Sequence, residues 1–169
     1  MRKFLDGALI AGAAGFILVL AVSAAFDRTI IVLHIFQALM YLAVIALVSR
    51  RNRWGYFLAV AIAGFWNYTN LFVTNFFVSG LRALEHLLTT GQLVHADQLV
   101  AVAAVFFHLV MIAAGVARIV QTSRKALADL GVFLFALVAS TAYFAACMAL
   151  FQPRYLQLFP RLLHPHGWG

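Results

Sequence analysis

The chain has 169 residues, of which 65% are hydrophobic and only 10% charged, with a mean hydropathy of +0.98 and a formal net charge of +7. A soluble domain carries about a quarter charged residues, so this composition excludes a soluble globular protein, and the length leaves no room for a sizeable soluble module. The basic residues stand at the ends of apolar runs, where Lys and Arg meet headgroups and set topology, so nucleic acid is not an expected partner.

A hydrocarbon layer of roughly 30 Å takes about 20 helical residues to cross. Five runs are long enough, at residues 7–26, 29–48, 56–79, 99–120 and 126–151. The expected fold is therefore all-α, a single transmembrane helical domain over residues 1–169 with the lipid bilayer as its surroundings. The first run begins like a secretory signal, with Met1-Arg2-Lys3 before it and the small residues Val22-Ser23-Ala24 at its end. It is longer than a usual signal core and reads as a retained first span. Its small residues Gly7, Ala8, Ala11, Gly12 and Gly15 suit close helix packing, within the bundle or between protomers.

The basic residues give an orientation. Arg2, Lys3, Arg50, Arg51, Arg53, Arg118, Arg124 and Lys125 fall on one side, eight in all, and Arg28, Arg82, Arg154 and Arg161 on the other, four in all. The excess predicts a cytoplasmic N-terminus and an outer C-terminus, with a bacterial inner membrane as the expected location.

Two outer segments read as interfacial, residues 80–97 and 152–169. In the first, Leu81, Leu84, Leu87 and Leu88 share a helix face opposite the pair Arg82 and Glu85, and Gly91 is a natural stop. Membrane-surface packing is the expected role of both, with a lid over the bundle interior as the sharper reading of the first. In the tail, Tyr155, Phe159 and Trp168 mix with Arg154 and Arg161, and prolines limit its helices.

Three spans carry polar residues at i, i+3, i+7 spacing: His34-Gln37-Tyr41, Asn67-Asn70-Thr74 and Ser140-Tyr143-Cys147. Such residues share one helix face, and in lipid that face must meet other helices or a wet cavity, because an unpaired polar group there costs several kcal/mol. At about 1.5 Å per residue, Asn67, His108 and Ser140 fall near one level of the bundle, roughly 14–20 Å from their span ends. Asn70, Thr74, Asn75, Tyr143 and Cys147 continue outward from it, and His34 and Gln37 occupy the same outer half. Either these groups only hydrogen-bond helices together, or they line a pocket open toward the outer face.

Chemistry is sparse. No Asp, Glu, Lys or Arg sits at mid-span; Asp6, Asp27, Glu85, Asp97 and Asp129 all lie at segment ends. That pattern disfavours a proton pump, a voltage sensor and a carboxylate-based membrane protease. His34 and His108 would be the axial ligands if the chain held haem b, with Arg28 or Arg82 near the propionates, though their depths differ and each imidazole is more simply hydrogen-bonded in the polar interior. No zinc or copper set is complete: Cys147 with His34 lacks further ligands, and His164 with His166 lies in the tail. The single cysteine, Cys147, also excludes an intrachain disulfide.

The run Phe65-Trp66-Asn67-Tyr68-Thr69-Asn70 sets two amides beside aromatic rings, a combination suited to a small polar headgroup, a quinone ring or a flat ligand. Phosphate loops, paired-cysteine motifs and nucleophile elbows are missing from the sequence. The expected function is non-enzymatic: a membrane protein whose polar pocket binds or passes a small neutral, lipid-headgroup or quinone-like molecule. Its expected liners are His34, Gln37, Tyr41, Asn67, Asn70, Thr74, His108, Ser140 and Tyr143. The alternatives are a haem b anchor subunit of a membrane complex, a structural accessory subunit with larger or homo-oligomeric partners, and an enzyme using His108 as a base.

Overall fold

The computed structural model describes residues 1–122 and 126–158. Six α-helices and three short helical turns make up the described fold: α1 (Arg2–Phe26), a 3₁₀ turn (Arg28–Ile30), α2 (Ile31–Ser49), α3 (Arg53–Tyr68), a π-helical turn (Thr69–Val73), α4 (Phe76–Thr90), α5 (Ala96–Thr122), α6 (Ala126–Phe151) and a 3₁₀ turn (Pro153–Leu158). Five helical segments are long and apolar enough to cross a membrane: Arg2–Phe26, Arg28–Ser49, Arg53–Val73, Ala96–Thr122 and Leu127–Phe151. Arg124, Lys125, Phe159, Arg161, His164, His166 and Trp168 lie outside the described residues.

Local chemistry sets the breaks. The Asp27 carboxylate accepts from the Thr29 N–H at 2.9 Å and the Thr29 hydroxyl at 2.6 Å, closing the turn between the first two spans. Asn52 caps α3 by accepting from the Trp54 N–H at 3.0 Å, as short polar side chains do at helix starts.

α1 packs mainly on α5 and α2, α3 packs on α5, α6 and α2, and α6 rests mainly on α3. Gly12 and Gly15 make the α1–α5 approach close: a Cβ on Gly12 would meet the Met111 side chain at 2.8 Å, and one on Gly15 would overlap the Phe107 ring. Gly7 faces open space, so the expected small-residue packing belongs to the later part of that stripe. One large buried cluster joins α1, α2, α3, α5 and α6 through Leu9, Phe16, Tyr41, Ile62, Met111 and Phe144.

The third span ends sooner than its hydrophobicity suggests. Instead of running to residue 79, it widens into the π turn, with the Thr74 N–H donating to the Thr69 carbonyl at 3.0 Å, and breaks at Asn75, which is left-handed at φ 55°. A residue with a β-carbon resists that conformation, and asparagine resists it least. The expected interfacial helix therefore starts at Phe76 rather than Gly80. It ends at Gly91, as expected, with φ 71°, and packs along the start of α5.

A second difference concerns charge. Arg118 is buried within α5 rather than placed among surface charges. Its Nε donates to Asp6 at 2.6 Å, one terminal nitrogen to the Tyr56 hydroxyl at 2.8 Å and the other to Gln121 at 3.1 Å. This set ties α1, α3 and α5 together at the end of the bundle that also holds Arg53, paired with the buried Asp129 at 3.2 Å.

Candidate functional site

At the opposite end, a cavity of about 330 Å³ opens between α1, α2, α3 with its π turn, and α5. Its walls are mostly apolar, from Phe16, Val19, Leu20, Leu33, Phe65, Val100 and Met148, and its polar lining comes from Ser23, His34, Gln37, Thr69, Asn70 and Thr74. Among the described residues, no Asp, Glu, Lys or Arg lines it. The π turn bears on this directly, because the wider helix presents Thr69, Asn70, Val73 and Thr74 to one space; such turns recur at functional sites.

The expected liners divide into two groups. His34, Gln37, Asn70 and Thr74 border the cavity. His34 Nδ1 donates to the Leu20 carbonyl at 2.9 Å, which orients its ring, and the Thr74 hydroxyl donates to the Thr69 carbonyl at 3.3 Å. Asn70 is buried at 7% exposure and borders the cavity.

The remaining liners sit behind the wall. Tyr41 and His108 are fully buried and bonded to each other through the Tyr41 hydroxyl and His108 Nε2 at 2.9 Å. Phe16 separates them from the open space, with its ring centroid 4.1 Å from His108 and 4.5 Å from Tyr41. Ser140 turns back to the Leu137 carbonyl at 3.1 Å, and the Tyr143 hydroxyl donates to the Phe36 carbonyl at 2.7 Å. Both therefore join helices or relieve their own backbone. Asn67 is buried beside Trp66.

Four buried side-chain atoms among the described residues have no hydrogen-bond partner: Gln37 Oε1, Trp66 Nε1, Asn67 Oδ1 and His108 Nδ1. All belong to this end of the bundle. Gln37 and Trp66 border the cavity, Asn67 follows Trp66, and His108 stacks on the Phe16 that forms part of the wall. Native structures leave few such atoms, and each costs about 1–3 kcal/mol. Two on the cavity wall and two just behind it mark the place where the described fold departs from complete internal pairing.

A second space of about 530 Å³ lies above the cavity and shares Ser23, Ile30, Phe76 and Tyr155 with it. It is more polar, bordered by Asp27 and Asp97. The Pro153–Leu158 turn reaches this mouth: Arg154 contacts Asp27 at 3.4 Å and the Thr29 hydroxyl at 3.2 Å, while Gln152 donates to the Thr29 carbonyl at 2.5 Å. The Thr29 hydrogen bonds, and secondarily Arg154, hold the Asp27 carboxyl below its ordinary range.

Sequence reasoning missed Phe16, Ser23 and Tyr155. Ser23 was visible as a hydroxyl in the outer part of the first span, but its small neighbours favoured a different reading. His34 borders the cavity and His108 does not, so the two imidazoles do not face one shared open space. Among the described residues, no group of three or more His, Cys, Asp and Glu is placed to hold a metal ion. No protein-family model matches the chain, and no curated protein or solved structure matches it significantly.

Proposed function

We propose that this chain is an integral membrane protein whose cavity binds a small, neutral, largely apolar molecule carrying a hydrogen-bonding end, of the lipid-headgroup or quinone-like ring kind. The observation that carries the reading is a mostly apolar cavity bordered by two buried, unpartnered polar atoms, Gln37 Oε1 and Trp66 Nε1. Apolar walls supply contact area, and a few convergent polar groups fix orientation. Neutrality follows from the lining: a charged ligand would be desolvated with no opposite charge in the chamber to offset it.

His34, Gln37, Asn70 and Thr74 touch the ligand in this reading. Asn67, Ser140, Tyr143 and the Tyr41–His108 pair stand behind them and hold the wall. The role is non-enzymatic, the surroundings are a lipid bilayer, and a bacterial inner membrane is the proposed location.

Asn70→Leu tests the reading. It keeps the branched four-atom skeleton of asparagine and removes the amide from the wall. With 1-naphthol titrated into lipid nanodiscs carrying the protein, against empty nanodiscs, the variant should bind about tenfold more weakly, the loss expected for a hydrogen-bonding group of about 1.4 kcal/mol. Thermal unfolding, followed by dye labelling of the buried and sole cysteine Cys147, should be unchanged. A variant that unfolds instead would make Asn70 an interhelical tie, and a wild-type protein that takes up no more probe than empty discs would remove the binding function.

A further inference from the structure

The unpartnered atoms carry more information than their number, because each is a donor or an acceptor. Gln37 Oε1 and Asn67 Oδ1 are acceptors, and the Trp66 indole N–H is a donor only. His108 Nδ1 can be assigned by elimination. If the Tyr41 hydroxyl donates to Nε2, then Nδ1 carries the proton and is one unfilled donor. The opposite tautomer would leave both the Tyr41 proton and Nδ1 unfilled, two groups in place of one. Of the four, Gln37 and Trp66 border the cavity, so the wall itself holds one unfilled acceptor and one unfilled donor, with Asn67 and His108 standing behind it. Gln37 is the most telling, being 2% exposed, bordering the cavity and unpaired at its carbonyl.

A carbonyl or ether oxygen accepts and never donates, so it can take the Trp66 N–H but leaves the Gln37 oxygen unfilled. A hydroxyl donates once and accepts as well. We infer that the cavity takes a hydroxyl-bearing ligand, an alcohol, phenol or quinol-type ring, in preference to the corresponding ether, ketone or quinone. The inference rests on the proposed binding function and sharpens it from a neutral molecule to a neutral donor–acceptor. A site left with unfilled buried partners discriminates strongly against an analogue that lacks the matching group.

The test compares 1-naphthol with 1-methoxynaphthalene, which share the ring system and differ in the donated proton. Each is titrated into nanodiscs carrying the full chain and into empty nanodiscs, so that partition into lipid is subtracted. The expected result is binding of the naphthol at least about tenfold tighter than that of the ether. Gln37→Leu should bring the two probes to within about twofold. Equal or tighter binding of the ether by the wild-type protein would overturn the donor preference while leaving the cavity's binding function intact. Absence of protein-dependent binding for both probes would sink the underlying function, and the inference with it.

Discussion

Taking a guanidinium out of water costs several kcal/mol, recovered only through a close counter-charge and well-placed hydrogen-bond acceptors. Each of the three Arg118 guanidinium nitrogens donates once, to Asp6, Tyr56 and Gln121, and the guanidinium carbon also lies 4.8 Å from the centre of the Tyr56 ring. Removing one partner is therefore worse than removing both. Arg118→Met should lower stability by about 3 kcal/mol, because the Asp6 side chain, only 17% exposed, keeps its charge without a counter-ion. Adding Asp6→Leu should recover most of that loss. Both are read as shifts in the temperature at which Cys147 becomes open to a thiol dye, and a neutral single variant would show that the pair behaves like a solvent-exposed one. The sequence placed Arg118 among topology charges because its partners sit on two other helices, 112 and 62 positions away. No spacing rule reaches that far.

At the scale of elements, two contacts decide the shape of the cavity end. α4 lies close against the start of α5 at Gly80, where a Cβ would approach the Gln98 carbonyl oxygen to 2.8 Å and the Ala101 and Val102 side chains to 3.1 Å. The nearest atom is backbone, so it yields only if a helix moves. Gly80→Ala should cost about 1–3 kcal/mol, the usual range for overpacking, and the same thiol-dye melting curve would register it; a silent variant would mean that α4 is free to slide. The second contact is the strap from Gln152 and Arg154 to the Asp27–Thr29 turn. Arg154→Ala should speed uptake and release of 1-naphthol alike with little change in affinity, since the strap crosses the mouth and not the inner wall. Its pH dependence has a definite sign. The Thr29 hydrogen bonds hold the Asp27 carboxyl below its ordinary value of 3.8 in the folded state, so its contribution is full above 3.8 and is lost only as the pH falls through the lowered value. Stopped-flow uptake rates should therefore be level between pH 5 and pH 8, and a change across that window would assign the gate to another group. The strap was not legible in the sequence, because the tail reads as interfacial from composition alone and the Thr29 carbonyl that it grips has no signature. The π turn was hidden for a related reason: Asn67, Asn70 and Thr74 keep α-helical spacing on paper, while the extra width becomes visible only in the Thr74-to-Thr69 hydrogen bond.

For the whole molecule, hydrophobic length alone identified five spans, and the boundaries of α6 at Ala126 and Phe151 coincide with the apolar run. Burial of Gln37, Tyr41, Asn67, Asn70, His108 and Ser140 follows from the same constraint that made their stripes legible, since lipid offers them no partners. Which of them would border open space was beyond the pattern, because that depends on Phe16 standing between the Tyr41–His108 pair and the cavity. The arrangement also makes orientation consequential. Arg2, Lys3, Arg50, Arg51, Arg53 and Arg118 gather at the end remote from the cavity, against Arg28, Arg82 and Arg154 at the cavity end. Lys and Arg near span ends are retained on the cytoplasmic side, so the cavity mouth and its Asp27–Arg154 strap should face outward. The prediction is open to direct measurement with single cysteines in a Cys147→Ser background, placed at Asn52 in the α2–α3 turn and at Thr90 before Gly91. A membrane-impermeant maleimide applied to intact cells should label the Thr90 position and spare the Asn52 position until the membrane is permeabilised. Reversal of that pattern would turn the mouth toward the cytoplasm and change the compartment from which a ligand arrives, while leaving the chemistry of the wall untouched.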